Sequence, residues 1–430
     1  MLNTFNKEKL VDVISESLKK INPEKLITSS CSYKDGILKI NDESIIIPKN
    51  KKITILGSGK AAQSMGKALF EIMDTHINKM ILVGPYTQEF IHEKIEYLQS
   101  SHPLPTQKSL DAANKLIQAL EKLQSEDIFI YLLSGGNSAL VEMPAHTISL
   151  EDFQIATSLM LKASMPIEAI NSVRKHISLV KAGGLCNYTQ AKGFVLVLSD
   201  VLGDSLEDIG SAPFYYDKTT FEDAYNYLRN YNIFEKLPQS IQKHLEKGIN
   251  KKIKETRKKE SDNIKHYIIG SNSVFLKSIH NTLLEYKISS SVLKNSINED
   301  VEIVCKKLLD FCDTNRKGCF IFGGEATVLV KGEGKGGRNQ HLVLTFLSQL
   351  PKNKELIFMS VASDGVDGNS DAAGAIIDTN TLQKVEDLEL DIQKYLNNFD
   401  SNTFFQKIDC LVKPGPTHNN MLDAVVLYIK

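Results

Sequence analysis

The sequence predicts an α/β protein made of two α/β domains with mostly parallel sheets. Short apolar runs alternate with helix-forming segments, the pattern expected when helices cover both faces of a parallel sheet. The chain has 430 residues, more than one hydrophobic core usually supports, so two domains are expected. A basic stretch without apolar periodicity, Lys251 to Asp262, interrupts the alternation. We place the boundary there, which gives predicted domains at 1–250 and 251–430.

The first predicted domain opens with an amphipathic helix. Leu10, Val13, Ile14 and Leu18 follow the i, i+3, i+4 spacing of one helix face. The segment "DGILKINDESIIIP", 35–48, predicts a hairpin. Strand and helix units follow, with strands at 52–56, 80–84, 128–134 and 194–200 and helices at 60–73, 107–123 and from 150 onwards.

The second predicted domain continues the alternation. Its strands are expected at 266–270, 318–324, 326–332, 356–365 and 423–430, and its helices at 273–286, 301–312 and 339–350. The basic stretch between the domains could contact phosphates. In a chain of balanced charge, a solvated linker or a frayed helix is the better interpretation.

Composition excludes several classes of function. The net charge is -1 at pH 7, so the basic surface that carries non-specific nucleic-acid binding is missing. The six cysteines show no CxxC spacing, and the chain starts without a signal peptide or a long apolar run. These features predict a cytoplasmic protein with reduced thiols and no membrane association. Cys305, Cys312 and Cys319 are spaced by sevens, and we expect them in the core rather than on a metal.

The turn "GSGKAA" follows the first apolar strand. Gly57, Gly59 and Ala62 match G-x-G-x-x-A, so a dinucleotide-binding fold must be considered, but a lone match of this kind is a weak signal. The next strand, "MILVGPYTQEF", lacks the acid that would bind a ribose hydroxyl, and Ala61 after Lys60 departs from a P-loop. A lysine at a helix start opposes the helix dipole unless an anion binds there. We therefore favour a functional Lys60 over an ordinary surface lysine.

Three further segments of the first domain carry polar groups after apolar runs. The turn "LLSGGNSAL", 132–140, offers consecutive backbone donors and could form a nest for phosphate or carboxylate, or be a tight packing turn. The segment "INSVRKHISLVKAGGL" supplies Arg174 and Lys181 on a predicted helix running to the Gly183-Gly184 pair. After the strand at 194–200, Asp200 and Asp204 could hold Mg2+, accept a hydroxyl proton or cap a helix.

Two glycine-rich segments stand out in the second domain. In "GGEATVLVKGEGKGGRNQ" a glycine-dense loop, predicted to be mobile, delivers Arg338 to a helix start. In "ASDGVDGNSDAAGAI" three acids, Asp364, Asp367 and Asp371, follow an apolar strand. Their spacing does not match an EF-hand, and a capped turn is the alternative.

Taken together and in order, eight motifs resemble those of the glycerate 2-kinase family, two-domain enzymes with a C-terminal MOFRL domain. The resemblance covers nearly the whole chain. It implies a Rossmann-like N-terminal domain, a smaller MOFRL-type C-terminal domain and an active site in the cleft between them. The implied reaction is ATP-dependent transfer of the γ-phosphoryl group to the 2-hydroxyl of D-glycerate, giving 2-phosphoglycerate. The motifs are "GSGKAAQSMGKAL", "SHPLPTQKSLDAA", "LLSGGNSALVEMP", "INSVRKHISLVKAGGL", "LVLSDVLGD", "GGEATV", "GKGGRNQHLVL" and "ASDGVDGNSDAAGA".

The resemblance also assigns roles to residues. Lys60 and Arg338 match the family's two catalytic cations, which suits a transition state with charge spread over phosphate oxygens. Asp200, preferred over Asp204, is the expected acid near the reacting hydroxyl, while Arg174 or Lys181 would clamp the substrate carboxylate. The expected cofactors are ATP and Mg2+, with no protein ligand of the metal assigned. The remaining candidates for substrate or phosphate binding are Ser58, Gly59, Ser134, Gly135, Gly136, Asn137, Ser138, Gly324, Glu325, Asn339 and Asp364.

Two departures from the family pattern leave alternatives open. The chain has Ser211-Ala212-Pro213 where many members have SGP, and Lys413 stands in a motif where TGPT is commoner. A shifted substrate preference would make the protein a kinase of a related hydroxy acid. The rival class is an NAD(P)H-dependent hydroxypyruvate reductase, and a non-catalytic nucleotide-binding regulator is a third candidate. The sequence is also compatible with a homo-oligomer.

Overall fold

The computed structural model describes residues 5–48, 51–314, 317–350 and 354–430. The helices, numbered in chain order, are α1 Lys7–Lys20, α2 Pro23–Ser30, α3 Ala62–Met73, α4 Gln107–Glu121, α5 Asn137–Leu140, α6 Leu150–Lys162, α7 Ile167–His176, α8 Phe221–Asn230, α9 Gln239–Ile249, α10 Asn272–Glu285, α11 Val301–Asp313, α12 Arg338–Ser348, α13 Thr381–Asp387, α14 Ile392–Asn397 and α15 Ser401–Lys407. The strands are β1 Cys31–Lys34, β2 Ile37–Ile40, β3 Glu43–Ile46, β4 Ile53–Ser58, β5 Ile77–Gly84, β6 Ile95–Gln99, β7 Ile128–Leu133, β8 Lys192–Leu198, β9 Ile264–Gly270, β10 Ser290–Ile297, β11 Gly318–Gly324, β12 Leu356–Ala362, β13 Gly374–Asp378, β14 Leu411–Val412 and β15 Asp423–Ile429.

The chain forms two compact units. The first unit contains Ile27–Leu198 and Asp204–Ile269, and the second contains Met1–Leu26, Ser199–Gly203 and Gly270–Lys430. These divisions differ from the predicted boundary between 250 and 251. The N-terminal helix α1 packs on α10, where the Ser278 hydroxyl donates to the carbonyl of Ser17 at 3.0 Å, and so belongs to the second unit.

The first unit is built on a six-stranded sheet in the order β6-β5-β4-β7-β8-β9. Every strand register recorded in it, from β6 to β8, is parallel. The central strands β4 and β7 are buried along their whole length, as expected when helices cover both faces. The parallel α/β prediction is therefore confirmed here. The predicted strand at 266–270 also forms, but it lies at the edge of this sheet and not in the second unit.

The first unit also carries a small antiparallel sheet and a helical core. Strands β1, β2 and β3 form a meander, and β2 and β3 pair as the predicted hairpin. Helices α6 to α9 surround a separate cluster of buried side chains that includes Phe153, Val173 and Leu245.

The basic stretch Lys251 to Asp262 packs against the first unit instead of forming a solvated linker. The N–H of Asp217 donates to the carbonyl of Arg257 at 2.8 Å, and the Thr256 hydroxyl donates to the Asp217 carboxylate at 3.0 Å. The Glu255 carboxylate accepts the N–H of Phe221, the first residue of α8. Hydrogen bonds from polar side chains and backbone groups therefore hold this segment in place. Because its sequence has no apolar periodicity, the pattern of apolar residues does not reveal that it packs in the folded unit.

The second unit is built on a sheet in the order β10-β11-β15-β12-β13-β14. Only the β10–β11 pair is parallel, and the other four pairs are antiparallel. The expectation of a mostly parallel sheet is wrong here. Strands β11 and β12 run in the same direction and are joined through α12, but the last strand, β15, inserts between them antiparallel to both.

One predicted strand of the second unit does not form. Residues 326–332 have no ladder, apart from a single bridge between Asp300 and Thr327. Leu329 and Val330 are 72% and 60% exposed, so this apolar segment does not pack in a sheet. By contrast, the predicted core positions of Cys305, Cys312 and Cys319 are confirmed, since all three thiols are buried.

Within the described residues, no helix combines the length and the apolar composition needed to cross a bilayer.

Candidate functional site

The predicted site residues fall into two groups, one in each unit. In the first unit they form the Lys60 turn (Ser58–Ala61) and the Ser134 loop (Ser134–Ser138), which follow the neighbouring parallel strands β4 and β7. In the second unit the predicted residues Asp200, Glu325, Arg338 and Asp364, together with Asp423, which was not predicted, form the Arg338 cluster. Both groups lie where strands end, the usual location of sites in α/β sheets.

The Lys60 turn and the Ser134 loop are tied together by hydrogen bonds. The N–H of Lys60 donates to the Gly135 carbonyl at 2.9 Å, and the N–H of Ala61 donates to the Ser134 hydroxyl at 3.0 Å. Gly59 has φ 129°, and a Cβ there would lie 2.1 Å from the Ser134 hydroxyl oxygen. Only glycine permits this close approach, so the turn and the loop form one rigid element.

Lys60 lies just before a helix rather than within it. Helix α3 begins at Ala62, two residues after the predicted start at Lys60. The ammonium group has no ion-pair partner in the described parts of the chain. Burial and the positive charge of Lys60 together lower the pKa of the nearby His102. Lys60 is therefore a cation whose charge no neighbouring carboxylate neutralises.

The Ser134 loop presents unused backbone donors. The N–H groups of residues 135–138 donate to no acceptor among the described residues. Gly136 has φ 86°, a left-handed conformation that glycine adopts without strain. The Ser138 hydroxyl is 2.6 Å from that of Ser211. A run of free N–H groups in this conformation forms a nest suited to an anion.

Two of the predicted binding residues support the loop from inside. The Ser58 hydroxyl is fully buried and bonds to Tyr131 and to the side-chain oxygen of Asn137. The Asn137 amide donates to the Gly210 carbonyl at 2.7 Å. Contact of either side chain with a ligand stays a prediction, whereas their role in fixing the loop is visible in the structure.

Two cations, the partly buried Arg174 and the buried Lys181, lie beneath the Ser134 loop. A guanidinium nitrogen of Arg174 and the ammonium of Lys181 both donate to the Ser138 carbonyl, at 3.0 and 2.8 Å. Glu142, also fully buried, lies 3.0 Å from the Lys181 ammonium. Burial lowers the pKa of Lys181 to about 8, the Glu142 charge opposes that shift and the Arg174 charge adds to it. Two cations and one carboxylate give the region beneath the Ser134 loop a net positive charge.

Lys181 reaches this position from a turn and not from a helix. Helix α7 ends at His176, so the predicted helix to Gly183 is too long. Leu179 donates its N–H to the Met143 carbonyl at 2.7 Å, and this backbone pairing replaces the missing helical turn. The role of Arg174 and Lys181 as a carboxylate clamp stays a prediction. Both are observed holding the loop.

Three residues of the first unit that bear on the predicted site have positive φ angles. Ala212, where the family pattern has glycine, has φ 55° beside Ser211 at φ 61°. An alanine in this region is strained relative to glycine. Asp204 also has positive φ, at 57°, and is partly exposed after Gly203. Its predicted role in binding stays open to test.

In the Arg338 cluster, the guanidinium is held by two carboxylates. Arg338 Nε lies 2.6 Å from Asp423 Oδ2 and Nη2 lies 3.1 Å from Oδ1, a bidentate pair. Nη1 lies 2.7 Å from Glu325 Oε1. The Asp423 side chain is 3% exposed, whereas that of Arg338 is 30% exposed. These ion pairs orient the Arg338 guanidinium and leave part of it accessible.

Asp423 is the functional residue that sequence reasoning missed. Because β15 is antiparallel to its neighbours, its first residue pairs with Gly324 at the end of β11 and with Ala362 at the end of β12. In a parallel sheet the start of the strand would lie at the opposite edge. The sequence does show an aspartate directly before an apolar run, but the edge of the sheet at which this aspartate lies depends on the direction of the strand.

The carboxylates of the cluster influence one another. Burial raises the pKa of Glu325, Arg338 opposes this, and the charges of Asp423, Asp200 and Asp364 raise it further. Asp200 and Asp364, both predicted from sequence, are therefore electrostatic neighbours of Glu325. Within the described residues, no group of three or more His, Cys, Asp or Glu side chains is placed to hold a metal ion.

Other predicted residues of this group shape the backbone. Gly324 has φ 146°, and a Cβ there would lie 1.8 Å from the Ile297 carbonyl oxygen, so glycine is required. Asn339 is buried, with its amide 3.3 Å from Asp367 and its oxygen accepting the Ser360 hydroxyl. Asp367 caps the start of α12 by accepting the N–H groups of Asn339 and Gln340. Asp367 therefore caps a distant helix, whereas the capped-turn alternative describes Asp364, whose carboxylate accepts the Val366 N–H at 3.1 Å.

The glycine-dense loop before Arg338 is pinned. The N–H of Gly334 donates to the Asn398 carbonyl at 2.9 Å, and that of Lys335 donates to the Asp400 carboxylate at 3.0 Å. A Cβ at Gly332 would lie 2.4 Å from the Asn398 carbonyl oxygen. The glycines therefore permit close backbone approach, and the predicted mobile loop is tied down by these contacts.

Comparison with known proteins adds independent findings. A family model described as a domain of unknown function, DUF4147, matches residues 9–246, and the MOFRL family model matches residues 318–423. A glycerate 2-kinase from Pyrococcus horikoshii is 32% identical over 97% of this chain and 96% of its own. A D-glycerate 2-kinase from Thermotoga maritima is 31% identical over 98% of this chain and 97% of its own. The crystal structure of glycerate kinase from Thermotoga maritima matches with a TM-score of 0.85 and 31% identity, over 98% of this chain and 99% of that one.

Proposed function

The chain belongs to the glycerate 2-kinase family with a C-terminal MOFRL domain, and from this premise we propose that it is an ATP-dependent glycerate 2-kinase. The substrate is D-glycerate, and the product is 2-phosphoglycerate. The observation that carries the proposal lies in the first unit, where Lys60, without an ion-pair partner among the described residues, adjoins a nest of free N–H groups above the partly buried Arg174 and the buried Lys181. A small carboxylate or a phosphate group suits such a site.

The reaction requires one bond exchange. The bond between the γ-phosphorus and its bridging oxygen breaks, the 2-hydroxyl oxygen of glycerate bonds to phosphorus, and the hydroxyl proton leaves to a base. We assign that base to Asp200, with Asp204 as the alternative. Negative charge on the transferring oxygens would be met by Lys60 and Arg338. Lys60 suits this role because no described carboxylate neutralises it.

The roles of the two supporting groups follow from their contacts. Arg174 and Lys181 hold the Ser138 carbonyl, and so keep the free N–H groups of the Ser134 loop directed outward. Asp423 and Glu325 fix the Arg338 guanidinium before a ligand arrives. Groups set in place before the reaction pay no reorganisation cost during it.

The residues present fit a magnesium ion that arrives on the nucleotide. Mg2+ keeps several waters and usually takes one or two protein carboxylates together with substrate phosphates. Asp200 or Asp364, whose charges raise the pKa of the nearby Glu325, would supply such an oxygen, and no group of three or more ligand side chains is placed to hold the ion among the described residues. When bound, Mg2+ would neutralise charge on the phosphates.

A reductase activity has less support from the site. After strand β5 the chain continues Gly84-Pro85-Tyr86, and this segment offers no carboxylate for a nicotinamide-nucleotide ribose. Lys60 instead occupies the glycine turn in which a dinucleotide pyrophosphate would meet backbone alone.

A coupled assay tests the proposal. Purified protein with ATP, Mg2+ and D-glycerate should form a product that enolase converts without added phosphoglycerate mutase. Signal only with the mutase would indicate a 3-phosphate product and would refute the regiochemistry. Hydroxypyruvate with NADH or NADPH, in the same preparation, should give no cofactor oxidation. Other 2-hydroxy acids, offered in place of glycerate, would reveal whether the substrate preference is shifted.

A further inference from the structure

A pocket of about 500 Å3 lies in the second unit next to the Arg338 cluster. It is lined by Arg338 and Glu325, which lie 2.7 Å apart, by the segment that follows β11, by the glycine-dense loop and by Phe399. Among the described residues that line it, Arg338 and Glu325 carry the charged side chains. The charge of the pocket is therefore confined to one adjacent pair of side chains.

The pocket also has apolar and aromatic walls. Val328 and Val330 line it from the segment that the sequence had predicted as a strand. Val330 is 60% exposed, so an apolar side chain faces the open space of the pocket. Phe399 and His341 stack with ring centroids 4.7 Å apart and an interplanar angle of 7°.

The aromatic wall is held in a strained conformation. Phe399 has φ 55°, a region that bulky residues seldom adopt. Strained backbone of this kind persists where the surroundings hold it, and it concentrates at ligand sites. The same turn carries the contacts to the glycine-dense loop, since the Asn398 carbonyl accepts the Gly334 N–H and the Asp400 carboxylate accepts the Lys335 N–H. Phe399 and the loop thus form one fixed wall.

We propose that this pocket receives the purine base of the phosphoryl donor, with the phosphates extending toward Arg338. The proposal rests on the proposed kinase function and adds to it the location of the base. A purine has flat apolar faces and an uncharged edge, which match the valine and aromatic walls and the polar Asn369 and Ser401 that also line the pocket. D-Glycerate does not match them, because it is small, charged and polar throughout.

The test compares neighbouring substitutions and two ligands. Val330 lines the pocket, whereas Leu329, 72% exposed on the same segment, does not. Val330→Asp and Leu329→Asp place the same charge at nearly the same distance from the phosphates. Binding of Mg·ADP and of Mg·pyrophosphate, measured by calorimetry, separates the base from the phosphates. Val330→Asp should weaken Mg·ADP about tenfold more than Mg·pyrophosphate, because the base would have to desolvate a carboxylate. Leu329→Asp should affect the two ligands alike.

A second measurement does not depend on loss of affinity. The chain has no tryptophan, so Val330→Trp and Leu329→Trp each introduce a single fluorophore. Mg·ADP should change the emission of Val330→Trp, Mg·pyrophosphate should not, and Leu329→Trp should respond to neither.

The outcomes distinguish the two proposals. If the wild type converts ATP and D-glycerate but Val330→Asp weakens both ligands equally, or neither, and the tryptophan at 330 ignores Mg·ADP, then the base binds elsewhere and the pocket assignment is overturned. If the wild type neither turns over substrate nor binds Mg·ADP, the kinase function itself fails, and the pocket assignment with it.

Discussion

The two proposed catalytic cations have opposite surroundings. Arg338 is gripped by Asp423 and Glu325, whereas Lys60 has no ion-pair partner among the described residues. The two carboxylates orient the Arg338 guanidinium but neutralise part of its charge. Lys60, without such a described partner, keeps its full electrostatic attraction for an incoming anion. The sequence motif could supply the identity of both residues, but not this difference.

Lys60→Ala should lower kcat by about 10^2 to 10^3, the loss typical of removing one preorganised stabilising group. The melting temperature should barely change, because the ammonium has no described ion-pair partner to lose. Steady-state kinetics beside a thermal melt would show both effects. Lys122→Ala, at an exposed position after α4, is the matched control and should match the wild type. A Lys60→Ala enzyme with wild-type kcat would reduce Lys60 to an ordinary turn residue.

Lys181 predicts a pH dependence. Its pKa falls from 10.5 to about 8 through burial, so the folded enzyme loses this charge as the pH rises through about 8. The KM for D-glycerate should then rise several-fold, because the positive charge beneath the Ser134 loop is reduced. Between pH 8 and 10.5 the unfolded chain holds the proton that the folded chain has lost, so this group's contribution to stability increases with pH.

Lys181→Arg provides the control for this profile, since an arginine stays charged throughout the range. KM for the variant should remain flat between pH 7 and 9.5, measured at constant ionic strength. Identical rises in wild type and variant would assign the titration to another group.

At the scale of elements, the start of α12 positions the chemistry. Asp367 accepts two backbone N–H groups of that helix and also the Gln340 side-chain amide, at 2.9 Å. Arg338 is the first residue of the same helix. The Asp367 carboxylate therefore fixes the start of α12 and, with it, the direction in which the Arg338 side chain leaves the backbone.

Asp367→Ala should lower the free energy of unfolding by about 2 to 4 kcal/mol, because it leaves several buried donors unpaired and removes a helix cap. The measurement is urea denaturation of the purified protein. Asp371→Ala is the matched control: that carboxylate is exposed and pairs with Lys413 at 2.9 Å, so its loss should leave the free energy of unfolding nearly unchanged. Equal effects of the two substitutions would argue against the capping role.

Elements were predictable from sequence where the apolar pattern is strong. The buried strands β4, β7 and β8 appear where apolar runs predicted them. The segment 326–332 is equally apolar, yet it forms no strand and lines a pocket instead. An apolar composition indicates that a segment can form a β-strand, but the strand also needs the free edge of another strand to pair with. In this sheet β15 takes the position beside β11.

At the scale of the whole molecule, the N-terminus joins the unit that contains the C-terminus. Helix α1 buries Leu10, Val13 and Ile14 completely, and Lys20 forms an ion pair with Glu285 of α10 at 2.7 Å. Leu10→Ala should destabilise the second unit by about 2 to 5 kcal/mol. Hydrogen exchange should then accelerate in α10 but stay slow in β4 and β7.

The control for this prediction is Lys19→Ala, an exposed position on the same helix, which should leave both exchange patterns unchanged. Faster exchange in β4 and β7, with α10 unaffected, would place α1 in the first unit instead.

The sequence by itself determined the α/β class, the parallel first sheet, the position of Lys60 after a strand, that of Arg338 at a helix start, and the family, because these depend on local apolar runs, glycine turns and motif order. Only the tertiary structure decided the direction of β15, since an apolar run looks the same whichever way its strand pairs. That direction brings Asp423 to Arg338 across 85 positions of sequence. Tertiary packing likewise decided that Ser58 and Asn339 are buried and that the glycine-dense loop is pinned. A side chain's partners come from other parts of the chain, and no local pattern encodes them.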